Sequence, residues 1–202
     1  MARDRDTAIN SYITDMISLE DHIEKALKGQ INDLKDYPDM AAEVRQAHQL
    51  VEHHLSDLRA IADRRKAGGV TETVKRAGAA VAGVAAGVID LVRTEGLPKN
   101  LRDDYTALSL ATISYAMLYT TAAGLGEREV AELAQQHHRD YAGVVTRLNT
   151  LVPESVLRYL SEEGLPVQQS VLSEVSRTIK SAWEGEAGAT ARAGEGVAAR
   201  GI

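Results

Sequence analysis

The sequence contains no cysteine, and that absence removes disulfides, thiolate zinc sites, iron–sulfur clusters and cysteine nucleophiles in one step. Phenylalanine is also missing, and the aromatic residues are seven tyrosines and one tryptophan. Prolines number four, and no stretch shows the sustained alternation of β-branched and aromatic residues that strands require. The opening MARDRDTAINSYITDM has no long apolar run behind its charges, so it does not read as a secretory signal and the expected compartment is the cytoplasm. Basic residues are outnumbered 23 to 29, for a net charge of −6. Nucleic acid is therefore not an expected partner, because that affinity comes from clustered Lys and Arg.

What is present is 202 residues, 44% apolar and 26% charged, patterned at helical spacing. The expected fold class is all-α. A first helix over 6–34 carries Ile9, Ile13, Met16, Ile23, Leu27 and Ile31 on one face. Pro38 disfavours helix at Tyr37, and Asp39 is the expected N-cap of a second helix over 40–65, which carries Val44, Val51, Leu58 and Ile61. After Gly68-Gly69 comes a Gly/Ala-rich helix over 71–94 with Val74, Val81, Val88 and Leu91 on its seam. Gly83 and Gly87 stand four apart, a spacing that lets helices approach closely in membranes. Asp90 interrupts the apolar run, so contact with a membrane surface is weighed only as a third and weaker reading.

A helix over 100–123 follows, with Tyr105, Leu108, Thr112, Tyr115, Leu118 and Ala122 facing the core. The turn Gly124-Leu125-Gly126 leads into a helix over 127–152 striped by Val130, Leu133, His137, Tyr141, Val144, Leu148 and Leu151. Pro153 is expected to end it and to open a short helix over 154–161. Gly164-Leu165-Pro166 breaks the chain before a last amphipathic helix over 167–183. Two helical hairpins joined by a long segment predict a four-helix bundle with one crossover. Residues 1–152 form that bundle, 70–98 its crossover helix, 153–185 a helical extension, and 186–202 a disordered tail or docking tail for a protein partner.

Chemistry must come from polar side chains on the apolar stripes. Glu20 falls at the seam position between Met16 and Ile23, with Glu24 at the edge of the same face. The second helix offers His54 and His48, flanked by Gln49 and Glu52, and the last bundle helix offers His137 and Asp140 beside Tyr141. Bundle metal sites of the dinuclear carboxylate type take a Glu from each of two helices and a Glu-x-x-His pair from each of the others. Against that rule the set Glu20, His54, His137 and Asp140 is incomplete, since no carboxylate occurs between Tyr105 and Gly126. At most one iron or manganese ion is expected on these four residues, and a degenerate site holds none. The alternative reading pairs Glu20 with His54 or His48 as structure alone, with Tyr115 and Tyr141 as core residues whose hydroxyls reach a polar partner.

The segment Tyr12-Ile13-Thr14-Asp15-Met16-Ile17-Ser18-Leu19-Glu20, together with 54–61 and 107–126, resembles the ferritin-like superfamily, and within it the YciF-like bacterial ferritin-like proteins. The resemblance covers 6–65 and 100–152. It implies a four-helix bundle, dimerisation, and a stress-associated or iron-associated role. Carried over by position, Glu20 matches the first-helix Glu, His54 the second-helix His, and Asp140 the fourth-helix carboxylate. Val51 stands where a Glu-x-x-His pair wants its Glu, and Ala111 where the third helix wants its own. The functional expectation is a non-catalytic dimer or assembly component. A metal-dependent oxidase or iron-handling protein is the alternative.

Overall fold

The computed structural model describes residues 4–67 and 96–182, and every regular element among them is helical. Four long helices dominate: α1 (Arg5–Asp33), α2 (Pro38–Ala67), α3 (Leu97–Gly124) and α4 (Arg128–Glu162). A 3-10 turn, Gln169–Val171, then leads into a helical stretch over 172–182. Of the crossover segment expected over 70–98, residues 70–95 lie outside the described residues, as does the tail over 186–202. Among the described residues no helix is long and apolar enough to cross a membrane.

Local chemistry sets the ends of these helices. Asp4 caps α1, its carboxylate accepting from the Thr7 backbone N–H at 2.8 Å and from the Thr7 hydroxyl at 2.7 Å. Those bonds hold the Asp4 carboxyl below its usual range. The ends of α3 and α4 share one device. Gly126 and Gly164 take φ of +73° and +76°, which a side chain would resist. The next amide in each case reaches back five residues, Glu127 N–H to Ala122 O and Leu165 N–H to Leu160 O.

The chain divides into two compact units between Asn149 and Thr150. In the first unit each helix carries a buried seam whose positions alternate in steps of four and three, with further buried residues such as Leu19, Ala41 and Leu55 beside it. On α1 the seam positions are Ile9, Ile13, Met16, Glu20, Ile23, Leu27 and Gln30, and on α2 Met40, Val44, Ala47, Val51, His54, Leu58 and Ile61. On α3 they are Leu97, Leu101, Asp104, Leu108, Ala111, Tyr115, Leu118 and Ala122, and on α4 Val130, Ala134, His137, Tyr141, Val144 and Leu148. Steps of four and three are the spacing that lets helices running side by side interlock their side chains.

Polar contacts at the two ends give the directions. Arg65, near the end of α2, bonds to Asp6 and Asn10 at the start of α1 and to Glu127 ahead of α4. At the opposite end Gln30 of α1 meets Asp104 of α3, and Arg147 of α4 meets Glu43 of α2. Helices α1 and α4 therefore run one way and α2 and α3 the other. Ala67 and Gly96 consequently sit at opposite ends of the packed helices.

Several sequence expectations are corrected. Pro153 does not end its helix, because α4 continues through it to Glu162. The proline has no N–H for the bond to the Asn149 carbonyl. That missing rung falls at the boundary between the two units. Asp39 is not a cap, since Pro38 itself opens α2 and Asp39 lies in the first turn. Pro98 likewise sits in the first turn of α3, which starts at Leu97 rather than near residue 100. Leu133, Tyr105 and Thr112 are only half-buried. The four-three seam passes through Ala134, Asp104 and Ala111 instead. The last helical stretch begins at 172, after the 3-10 turn, rather than at 167.

Candidate functional site

The seam positions at mid-height of the four helices are polar, and they meet. Glu20 of α1 is fully buried. Its Oε1 accepts from the Tyr115 hydroxyl of α3 at 2.6 Å, and its Oε2 accepts a short hydrogen bond from Tyr141 of α4. Burial pushes the Glu20 carboxyl up to about 7, and the two phenols pull against that by stabilising the anion. Both phenols are themselves driven well above their usual range, first by burial and then by the neighbouring carboxylate.

Beside the carboxylate lie two imidazoles. His54 of α2 and His137 of α4 stack with ring centroids 3.7 Å apart and planes at 15°. Tyr141 meets His54 edge-on at 4.8 Å, and Tyr115 meets His137 edge-on at 5.0 Å. Nε2 of His54 lies 3.3 Å from Asp140 on α4, and Nε2 of His137 lies 3.3 Å from Asp57 on α2. The bonding is reciprocal. Each helix carries a His-x-x-Asp pair, and each histidine uses the aspartate of the other helix.

Burial, with the neighbouring His137 ring second, lowers His54 to about 2. Burial also lowers His137, to about 4, against the opposing pull of Asp57. Both rings are therefore neutral at pH 7. A neutral imidazole facing a carboxylate with Nε2 keeps its proton there, so Nδ1 is left as an acceptor. Neither Nδ1 has a hydrogen-bond partner. That of His54 lies 3.9 Å from Glu20 Oε1.

Of the four residues expected to gather, Glu20, His54 and His137 are buried together, while Asp140 stands at the rim with its side chain 30% exposed. The imidazole of His54 separates the two carboxylates, with Glu20 beyond one nitrogen and Asp140 beyond the other. Glu20, His54 and Asp140 therefore form a chain, with His137 stacked beside it, rather than a ring around one point. Glu20 pairs with Tyr115 and Tyr141, not with His48, which belongs to Glu24 and Glu52 at the α1–α2 surface. Asp57 was missed from the sequence. The visible signal was its place three residues after His54, matching Asp140 after His137.

The arrangement fits a dinuclear metal centre poorly. Each Glu20 oxygen already accepts from a phenol, and α3 supplies Ala111 and Tyr115, neither of them a carboxylate, where a second carboxylate is needed. Comparison with protein-family models, with curated proteins and with solved structures gives no match for this chain.

Proposed function

We propose that the chain is a non-catalytic ferritin-like four-helix bundle with one crossover, working as a homodimer or assembly component, with the stress association that its sequence resemblance implies. The observation that carries this reading is the closed state of the Glu20 carboxylate, whose two oxygens each accept a tyrosine hydroxyl. A carboxylate held this way, with one phenol donor on each oxygen, contributes to a unique core packing. The opposite-end placement of Ala67 and Gly96 supports the crossover topology, which is the ferritin-like arrangement.

Self-association is supported by the outer face of α3. No charged residue occurs between Tyr105 and Gly126, and Ile113 and Met117 are exposed one turn apart on that face. Two chains of net charge −6 repel, and an uncharged helix face is where identical copies approach without like-charge contact. Light scattering on the purified chain is expected to return twice the monomer mass. The double variant Ile113→Glu, Met117→Glu is expected to return the monomer mass.

A metal-dependent role is the second reading, and one observation favours it. His54 and His137 are each oriented by an aspartate at Nε2 and hold Nδ1 as an unshared acceptor, which is how ligating histidines are commonly prepared. An ion held there would supply Lewis-acid or redox chemistry. Elemental analysis of tag-free protein separates the readings. Iron or manganese near two per chain would defeat the non-catalytic one.

A further inference from the structure

We propose that Glu24, His48 and Glu52 form a divalent transition-metal site on the outer side of the α1–α2 hairpin, separate from the buried cluster. His48 and Glu52 stand four residues apart on α2 and so share one face of that helix. Glu24 faces them from α1. Nε2 of His48 lies 3.0 Å from Glu24 Oε1 and its Nδ1 lies 3.5 Å from Glu52 Oε2, so the carboxylates flank the ring and Glu52 must swing round to share an ion with Glu24 and a single His48 nitrogen. One ligand atom from each of the three residues falls within 4.8 Å of the other two, and among the described residues no other group of three does so.

The chemistry of the set chooses the ion. One imidazole and two carboxylates suit zinc, cobalt or manganese, while calcium and magnesium prefer oxygen donors alone. Two carboxylates also balance a double positive charge. Ligands about 2.1 Å from a tetrahedral ion sit roughly 3.4 Å apart, so atoms that lie up to 4.8 Å from one another must draw together around it. Exposure shows which group moves. The Glu24 and His48 side chains are 15% and 12% exposed and fixed by the hairpin, whereas Glu52 is 54% exposed and free to swing in. Lys28 reaches Glu24 only at 3.5 Å, with its side chain 69% exposed, so it can withdraw to solvent. The open side around Glu52 gives an ion its entry path and leaves coordination positions to water. The ion would clamp the two helices near the middle of the hairpin.

Cobalt(II), which absorbs visibly when bound, is the probe, added to chelator-stripped, tag-free full-length chain. Expected are saturation near one ion per chain, a higher melting temperature with zinc, and Kd weakened about tenfold or more by Glu52→Gln and by His48→Asn. Glu52 is exposed, so Glu52→Gln carries the test even where the His48 variant fails to fold. His53→Ala, which removes an exposed histidine on α2, and Glu20→Gln, which alters the buried cluster, are expected to leave Kd unchanged. Three results would overturn the proposal: no saturable binding, binding that survives Glu52→Gln, or binding lost with Glu20→Gln. The last would assign the ion to the buried cluster instead.

Discussion

The imidazoles of His54 and His137 lie face to face at 3.7 Å, and each reaches an aspartate carried by the other's helix. Two charged rings cannot be held that close away from water, so the core is built for their neutral forms. The same core holds Glu20 and Asp104, whose carboxyls burial pushes up to about 7. Neutral bases and reluctant acids therefore share one interior, and they respond to pH in opposite directions.

Glu20→Gln exposes that opposition. The histidines titrate near 2 and 4 when folded, against 6.5 ordinarily, so the unfolded chain binds more protons and their contribution is lost as pH falls below about 6.5. Glu20 and Asp104 titrate near 7 when folded, against 4.5 and 3.8, so their contribution is lost as pH rises toward 7. The slopes offset each other, and the melting temperature of the wild type is expected to change little between about pH 5 and 6.5. Removing the Glu20 slope leaves the histidines ahead. The melting temperature of Glu20→Gln relative to wild type should climb from about pH 4.5 to about pH 7 and then level. Parallel curves across that range would show that Glu20 is not protonated near neutrality.

Tyr141→Phe probes the same carboxylate from the other side. It keeps the ring against His54 and removes only the hydroxyl donated to Glu20. The Glu20 oxygen then loses its donor in a site without solvent access, at a cost of about 1–3 kcal/mol in urea unfolding at pH 8. Because that hydrogen bond favours the ionised acid, the cost should be smaller at pH 5. A cost that is equal at both pH values would mean the acid has the same charge at both.

The helices and their apolar faces were legible because steps of three and four survive in the sequence even where polar residues occupy the seam. Glu20 announced itself by interrupting a run of Ile and Met. Asp104 and Gln30 did not. Each lies near a helix end, where a polar residue is ordinary, and neighbouring Tyr105 and Ile31 offered a more apolar phase that the packing rejects. The pairing of His137 with Asp57 was illegible for another reason. Periodicity fixes which way a side chain points along its own helix, not which residue of an antiparallel neighbour stands opposite. Pro153 misled because its cost depends on what the surrounding chain asks of one carbonyl, which a sequence does not state.

Leu58→Ala and Leu148→Ala test the seam itself. Both side chains are almost fully buried, on α2 and α4, where the helices enclose them. Each truncation removes apolar contact and leaves a cavity that packed helices only partly refill. A loss of about 2–5 kcal/mol is expected from either in urea unfolding. Wild-type stability in both variants would show that the four-three register is wrong on these two helices.

Gln30 and Asp104 form the second polar step in the core, and their worth as a pair can be measured against their worth singly. Gln30 Nε2 donates to Asp104 Oδ1 at 2.7 Å, while Oε1 of the glutamine and Oδ2 of the aspartate have no partner. Gln30→Leu strands the acid without its donor and should cost about 1–3 kcal/mol. Replacing both with leucine removes the stranded group as well, and the double variant should be at least as stable as wild type. Its advantage over Gln30→Leu should widen as pH rises toward 7, because the donorless acid stays protonated in the folded single variant while the unfolded chain ionises. Urea unfolding of the two single variants and the double variant gives the coupling directly. Costs that simply add would show that these side chains do not act as a pair, and that the polar step is held by something other than their hydrogen bond.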